Sequence, residues 1–221
     1  MKKVLAFSGS PRANSNSEIL LENFNKGAKT SNAQITWHNI KDLKIKACTG
    51  CLRCNIVKRC TLRDDDWNLL INDILEADII VFATPVYFHH VPGPMKVLLD
   101  RFRSFVHVGI TETGLTYTPH EEWEKDFVLL LTMGTADKSD AKPIMDMFEF
   151  ICKVMGEKNN LHAITATRLA VARQILRTEE ELREVYIKMN INPDLAKPDY
   201  RNNINLLDES FDLGSRLGSA K

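Results

Sequence analysis

The chain has 221 residues, 29 Lys plus Arg against 29 Asp plus Glu, 44% hydrophobic residues, and only 10 Gly and 8 Pro. That length and composition suit one globular domain with an added arm and exclude a fibrous or linker-dominated chain. Zero net charge gives no basic or acidic asymmetry pointing to nucleic acid or an anionic membrane, and no run of 18 apolar residues suggests a membrane span. The apolar start at 4–7 is too short for a signal-peptide core, so the cytoplasm is the expected compartment. Clustered cysteines there point to metal or redox chemistry before disulfides.

Val4 to Phe7 form a continuous apolar run, as in a strand buried on both faces. The polar segment SGSPRANSNS follows at 8–17, after which Ile19, Leu20, Phe24 and Ala28 recur at helical spacing. QITWHN at 34–39 reads as a second strand, and residues 43–63 read as irregular, with four cysteines. Asp64 or Asp65 is placed to cap a helix running to about residue 76, with Leu69, Leu70, Ile71 and Ile74 on its buried side. IIVFA at 79–83 is the clearest strand pattern, TPVYFHHVPGP at 84–94 is a loop, and Pro94 opens a helix carrying Met95, Leu98, Leu99, Phe102 and Phe105. Residues 107–125 are mixed and read as an inserted excursion or a partner-contact loop. FVLLLTM at 127–133 is a fourth central strand, a helix follows over about 141–156, and 160–166 fits a fifth strand. Thr178 to Glu181 has the capping-box pattern of a helix reaching about 189, and a late helix is expected around 203–213.

Apolar strands alternating with helices imply an α/β three-layer sandwich around a five-stranded parallel sheet, with 2-1-3-4-5 as the expected order. Residues 1–175 form the expected domain, with a cysteine-rich loop at 48–60. Residues 176–221 form a helical or extended arm suited to oligomer contact. Ligands of such folds bind beyond the carboxyl ends of the strands at the switch point, here between the first and third strands, where loops 8–17 and 84–94 emerge.

The first of these loops offers four hydroxyls, two side-chain amides, Arg12 and the N-terminus of a helix, a combination suited to an anion. Neither G-x-G-x-x-G nor G-x-x-x-x-G-K-[ST] is present, so a monophosphate suits the loop better than a dinucleotide or a triphosphate. The plainer alternative is that Ser15 or Ser17 only caps the helix. In the second loop, the backbone amides of Val86, Tyr87 and Phe88 can face a crevice and bond the polar edge of a planar heterocycle, with an aromatic ring packed beside it. Gly134 and Thr135, after the fourth strand, flank the same crevice, while His89 and His90 read as loop or interface residues. A monophosphate at one loop and a flat ring at the other describe flavin mononucleotide (FMN).

FSGSPRANSNSEIL at 7–20, CTGCLRCNIVKRCTLRDDD at 48–66 and IIVFATPVYFHHVPGPMKVLLDR at 79–101 together resemble the NADPH-dependent FMN reductases and iron–sulfur flavoproteins of flavodoxin-like fold. The resemblance covers most of residues 1–105. It implies an FMN phosphate on Ser10, Arg12, Ser15, Asn16 and Ser17, and a flavin ring against Pro85, Val86, Tyr87 and Phe88. It further implies a homodimer or homotetramer in which a neighbour helps close the site. The expected activity is that of an oxidoreductase taking hydride from NAD(P)H through FMN to a flavin, a quinone or a redox protein, with no side chain required as an acid or base.

Cys48, Cys51, Cys54 and Cys60 read C-x2-C-x2-C-x5-C. Four soft thiolates can hold zinc or an iron–sulfur cluster, or remain free or redox-active, and the compact spacing is unlike the two separated knuckles of a zinc ribbon. The resemblance implies a 4Fe–4S cluster on these four residues if the chain follows the iron–sulfur flavoproteins; many reductase relatives keep a similar cysteine stretch, and for them it implies no particular occupant. Two alternatives to the reductase therefore stand: an iron–sulfur electron carrier, and a non-enzymatic zinc-clamped or redox-sensing protein. Lys44, Lys46, Arg53, Lys58 and Arg59 are near enough in sequence to offset thiolate charge. Cys152 lies in an apolar helical pattern and reads as core, and Asp64, Asp65 and Asp66 read as helix-start residues.

Overall fold

The apolar runs become the centre of a parallel sheet in the computed structural model, which describes residues 1–219. In chain order the elements are β1 (Lys3–Ser8), α1 (Asn16–Thr30), β2 (Gln34–Asn39), α2 (Cys54–Val57), α3 (Trp67–Glu76), β3 (Ile79–Pro85) and α4 (Gly93–Arg101). A hairpin of β4 (Val106–Thr111) and β5 (Gly114–Pro119) comes next, then β6 (Asp126–Thr132), α5 (Lys142–Met155), β7 (Asn160–Ala166), α6 (Glu179–Lys188) and α7 (Ala196–Gly218). The sheet runs β2-β1-β3-β6-β7, every pair parallel. The stated order 2-1-3-4-5 omitted two strands: the segment 107–125, read as an excursion, contains the antiparallel hairpin β4–β5, which forms a separate two-stranded sheet.

Alternation along β1 and β3 splits the core. Leu5, Phe7, Ile80 and Phe82 face α3, α4 and α5, while Val4, Ala6, Ile79, Val81 and Ala83 face α1 and α7. Phe82 stacks on Phe7 at 5.6 Å between ring centroids and meets Phe148 of α5 at 5.0 Å. Each such side chain contributes roughly 1.5–3 kcal/mol by leaving water. Cys152 is buried in this core, where burial pushes its thiol up to about 12, so it is inert packing as the helical pattern implied.

The expected C-terminal arm is helical and packs on the domain through α7. α7 is longer than the expected 203–213 and lies along α1 at backbone distance. A Cβ on Gly27 would collide with the Phe211 carbonyl, and one on Gly214 with the Phe24 carbonyl. Ser210 Oγ donates to the Leu20 carbonyl at 2.8 Å and Ser31 Oγ to the Ser215 carbonyl at 2.7 Å. α6 opens with the expected capping box between Thr178 and Glu181. Residues 220 and 221 of the expected arm lie outside the described residues. No helix among the described residues is long and apolar enough to cross a membrane.

The acidic run at 64–66 does different work from that expected. α3 begins at Trp67 with no side-chain cap. Asp66 instead accepts from the Lys44 N–H at 2.6 Å, and Asp65 accepts from the Lys46 N–H at 3.1 Å and from Arg101. These carboxylates tie the incoming chain to the far end of the cysteine loop.

Candidate functional site

β1 and β3 are neighbours whose following loops turn to opposite sides of the switch point, and a cleft of about 180 Å³ opens between them. Ser10, Arg12, Ser15, Asn16 and Ser17 line it from the β1–α1 loop, Pro85, Val86 and Tyr87 from the end of β3, and Gly134 from the end of β6. Phe88 is the exception among the expected residues: it does not line the cleft and is fully exposed beside it. A larger groove of about 710 Å³ lies between β7 and α7, but its walls carry Asp208, Glu209 and Asp212, the wrong charge for a phosphate.

The phosphate-loop end is rich in donors. Ser15 caps α1 by accepting from the Glu18 N–H at 3.2 Å, and its hydroxyl lies 3.2 Å from that of Ser17. A helix leaves its first N–H groups unpaired, and this cap takes up only one of them. The capping and anion-binding readings of these serines therefore coexist. Arg12 is exposed, and among the described residues its side chain is anchored only by a 3.4 Å contact from Nη1 to the Ala170 carbonyl. Its guanidinium is free to turn onto an anion.

Asn16 departs from its expected role. Its Nδ2 donates to the carbonyls of Val171 at 2.8 Å and Leu169 at 3.4 Å, and its Oδ1 accepts from the Ile175 N–H at 3.1 Å. The side chain braces a wall of the cleft that the sequence did not reveal, formed by Leu169, Ala170 and Ala172, with Thr132 and Met133 beneath. Arg168 N–H donates to the Thr135 carbonyl and Leu169 N–H to the Met133 carbonyl, joining this wall to the end of β6. Behind it, Arg168 Nε pairs with Asp199 at 2.7 Å, and the Tyr186 hydroxyl donates to Asp199 at 2.6 Å. Burial and the neighbouring carboxylate push the Tyr186 phenol up to about 12. Small apolar residues such as Ala170 carry no local signature, so only the fold places them here.

The ring end also differs in detail. The Val86 N–H donates to the Thr132 carbonyl at 2.8 Å and the Tyr87 N–H to the His90 carbonyl at 2.8 Å, so two of the three amides expected to face a ligand are already engaged. His90 N–H returns a bond to the Tyr87 carbonyl at 3.0 Å, and Phe88 and His89 both have positive φ, 48° and 62°. This is a tight turn of the kind that favours Asn-Gly, held here by a phenylalanine and a histidine. Backbone strain of this sort concentrates at functional sites.

Donor chemistry suits FMN: hydroxyls, helix N–H groups and the loosely held Arg12 guanidinium at one end, and Pro85, Val86, Tyr87 and Met133 at the other. These residues would hold its phosphate and its ring respectively.

The four cysteines border a second, smaller cleft of about 40 Å³. Cys48 and Cys51 are exposed, and Cys54 and Cys60 half-buried. Burial pushes the Cys54 thiol up, while the Arg53 N–H holds that of Cys51 down. Among the described residues no three His, Cys, Asp or Glu side chains form a group that could hold one metal ion. Four thiolates bordering one cleft match in number and type the donor set that an iron–sulfur cluster would need. The cations that reach the sulfurs are not the lysines and arginines nearest in sequence but Arg101 and Arg103, which donate to Cys60 and Cys54 at 3.3 Å each. At Asp65, burial alone would raise the carboxyl. Hydrogen bonds from Arg101 and the Lys46 N–H, with the Arg101 charge, outweigh it and hold the group below its ordinary range.

A family model described as NADPH-dependent FMN reductase matches residues 2–151. An iron–sulfur flavoprotein of Archaeoglobus fulgidus is 39% identical over 101 residues, 46% of this chain and 49% of that protein. A putative NAD(P)H-dependent FMN-containing oxidoreductase of Bacillus subtilis, YwqN, is 22% identical over 155 residues, 70% of this chain and 79% of that one. The aligned segment thus spans about half the length of the iron–sulfur flavoprotein. Among solved structures, an NAD(P)H:quinone oxidoreductase from Methanothermobacter marburgensis has a TM-score of 0.69 at 15% identity, covering 98% of both chains. An FMN-dependent NADH-azoreductase from Bacillus anthracis, in complex with FMN, has a TM-score of 0.66 at 14% identity, covering 99% of this chain and 100% of that one. The fold is shared over nearly the whole chain, whereas the family match ends before the wall at 168–173.

Proposed function

Because the chain belongs to the NADPH-dependent FMN reductase family, we propose that it is an FMN-dependent oxidoreductase passing electrons from NAD(P)H to a small flavin- or quinone-type acceptor. The observation that carries this reading is the meeting of nine residues from three strand-end loops in one cleft at the switch point of the sheet. Bound FMN supplies the hydride and electron chemistry, which the polypeptide lacks. The serines and the α1 N-terminus fix the phosphate, and Arg12 closes over it. Met133 and Leu169 keep water from the inner wall, and the Tyr87–His90 turn leaves the outer face open to a nicotinamide. No side chain need hold a proton for hydride transfer.

The same reading includes a cytoplasmic homodimer or homotetramer, with exposed Phe88 in a position for a neighbouring copy to cover; light scattering measures the subunit number. The test of function is titration of the purified protein with FMN, followed by anaerobic addition of NADPH or NADH. Saturable binding and rapid bleaching of the yellow protein are expected. Absence of binding overturns the flavin reading, and binding without bleaching by either donor overturns the nicotinamide half.

A second reading concerns Cys48, Cys51, Cys54 and Cys60, favoured by their common cleft and by the two guanidinium groups on their sulfurs. They hold an iron–sulfur cluster that carries electrons to or from the flavin. Iron and sulfide assays on anaerobically prepared protein test it, and absence of both after reconstitution overturns it. A colourless protein that takes up zinc and no flavin would establish the non-enzymatic alternative instead.

A further inference from the structure

Two guanidinium groups reach the cysteine cleft from one short segment at the end of α4, and they differ in charge balance. Arg101 is fully buried over the Trp67 ring. Its Nη2 donates to Cys60 Sγ at 3.3 Å, while its Nη1 donates to the Lys46 carbonyl at 2.8 Å and pairs with the buried Asp65 carboxylate. The charge of Arg101 is cancelled where it stands. Arg103 Nη1 donates to Cys54 Sγ at 3.3 Å and to the Val106 carbonyl at 2.8 Å, and its Nη2 donates to Asn55 Oδ1 at 3.0 Å. None of these partners is a carboxylate, and among the described residues Arg103 has no ion-pair partner, so its positive charge at Cys54 is not neutralised locally as that of Arg101 is.

The position of Arg103 is held from both sides. Asn55 also bonds the Val108 backbone, accepting from its N–H at 3.0 Å and donating to its carbonyl at 2.8 Å. The β4–β5 hairpin, α2 and Arg103 are thus joined at one side chain next to Cys54. Placing a half-buried cation there without a carboxylate costs free energy that an anionic group in the cleft offsets. Net charge and hydrogen bonds to the sulfurs are among the factors that set the reduction potential of an iron–sulfur group. A fixed positive charge favours the reduced, more negative state.

We propose that Arg103 is a positioning residue that raises the reduction potential of the iron–sulfur group held by Cys48, Cys51, Cys54 and Cys60, while the Arg101–Asp65 pair, itself net neutral, anchors Cys60 without adding charge. The proposal rests on the cluster reading and is independent of the flavin reading.

The test compares the wild-type chain with R103Q and R103K after anaerobic reconstitution with iron and sulfide. Three quantities are measured: iron and sulfide per chain, the midpoint potential of the cluster, and FMN affinity. R103Q is expected to have a more negative midpoint potential, R103K to recover most of the difference, and both to bind FMN as the wild type does. If R103Q alone loses iron, the need for the charge is upheld. An unchanged potential in fully loaded R103Q overturns the proposal. So does loss of iron from both variants, because lysine keeps the charge. A wild-type chain that binds FMN but takes up neither iron nor sulfide overturns this proposal and the cluster reading together, and leaves the flavin reading standing. A chain that holds iron but no FMN overturns only the flavin reading.

Discussion

Asn16 Nδ2 donates to the Val171 carbonyl at 2.8 Å, joining the first residue of α1 to a loop 155 residues further along the chain. With the bonds to Leu169 and Ile175, this one buried side chain couples the phosphate-loop helix to the opposite wall of the cleft. Asn16→Ala leaves those backbone groups without their partner. A stability loss of about 1–3 kcal/mol is expected, which thermal unfolding registers as a fall of about 2–4 °C for each kcal/mol. FMN affinity falls with it, because the wall is no longer held. Unchanged unfolding would show that the brace is redundant.

Arg12 makes the opposite prediction. It is exposed and, among the described residues, has only its 3.4 Å contact with Ala170. Arg12→Gln is expected to leave the thermal stability of the flavin-free chain unchanged and to weaken FMN binding by about 10- to 100-fold, the range for losing a hydrogen bond to a charged group. Fluorescence titration with FMN checks the second outcome and calorimetry the first. A destabilised chain with unaltered FMN affinity would assign Arg12 to the scaffold.

The turn at Phe88 and His89 keeps two bulky residues at positive φ. Each departure from ordinary backbone geometry costs about 1–2 kcal/mol. The double substitution Phe88→Asn with His89→Gly supplies the residues this turn prefers. The variant is expected to unfold at higher temperature and to oxidise NAD(P)H more slowly, since the exposed ring is lost from the mouth of the cleft. A variant with higher stability and full turnover would mean that the strain serves something other than the donor.

Acid should reveal the Asp65–Arg101 pair. The folded carboxyl is held below its ordinary value, which is about 3.9 in an unfolded chain. Its contribution to stability is therefore fully present above about pH 4 and is lost as the pH falls through the depressed folded value. Asp65→Asn removes this component and leaves Arg101 buried without its counter-charge, a loss of about 3–5 kcal/mol for pairs of this kind. Urea unfolding of both chains at about pH 6 and about pH 3 tests the sign. The gap between them should narrow in acid, and a gap that widens would be the wrong sign.

The central strands of the sheet are legible because a strand buried on both faces leaves an unbroken apolar run, as in IIVFA and FVLLL. The phosphate loop was readable because serines, an arginine and a helix start follow such a run directly. The β4–β5 hairpin was not: its residues are mostly exposed, so Ile110 and Leu115 show neither a buried run nor a clean alternation. The pairing of Arg101 and Arg103 with Cys60 and Cys54 has no local signature, because more than 40 residues separate each pair. The apolar pattern of α4 accounted for its buried face and gave no reason to look for a guanidinium there. Asn16 and the amides of Val86 and Tyr87 look free for a ligand in the sequence because their protein partners, Val171, Thr132 and His90, become neighbours only once the loops fold.

The glycine seam between α1 and α7 bears on synthesis. Ser210 and Leu20, which meet across it, lie 190 residues apart. During synthesis α1 therefore leaves the ribosome long before α7, and its outer side stays uncovered until α7 follows.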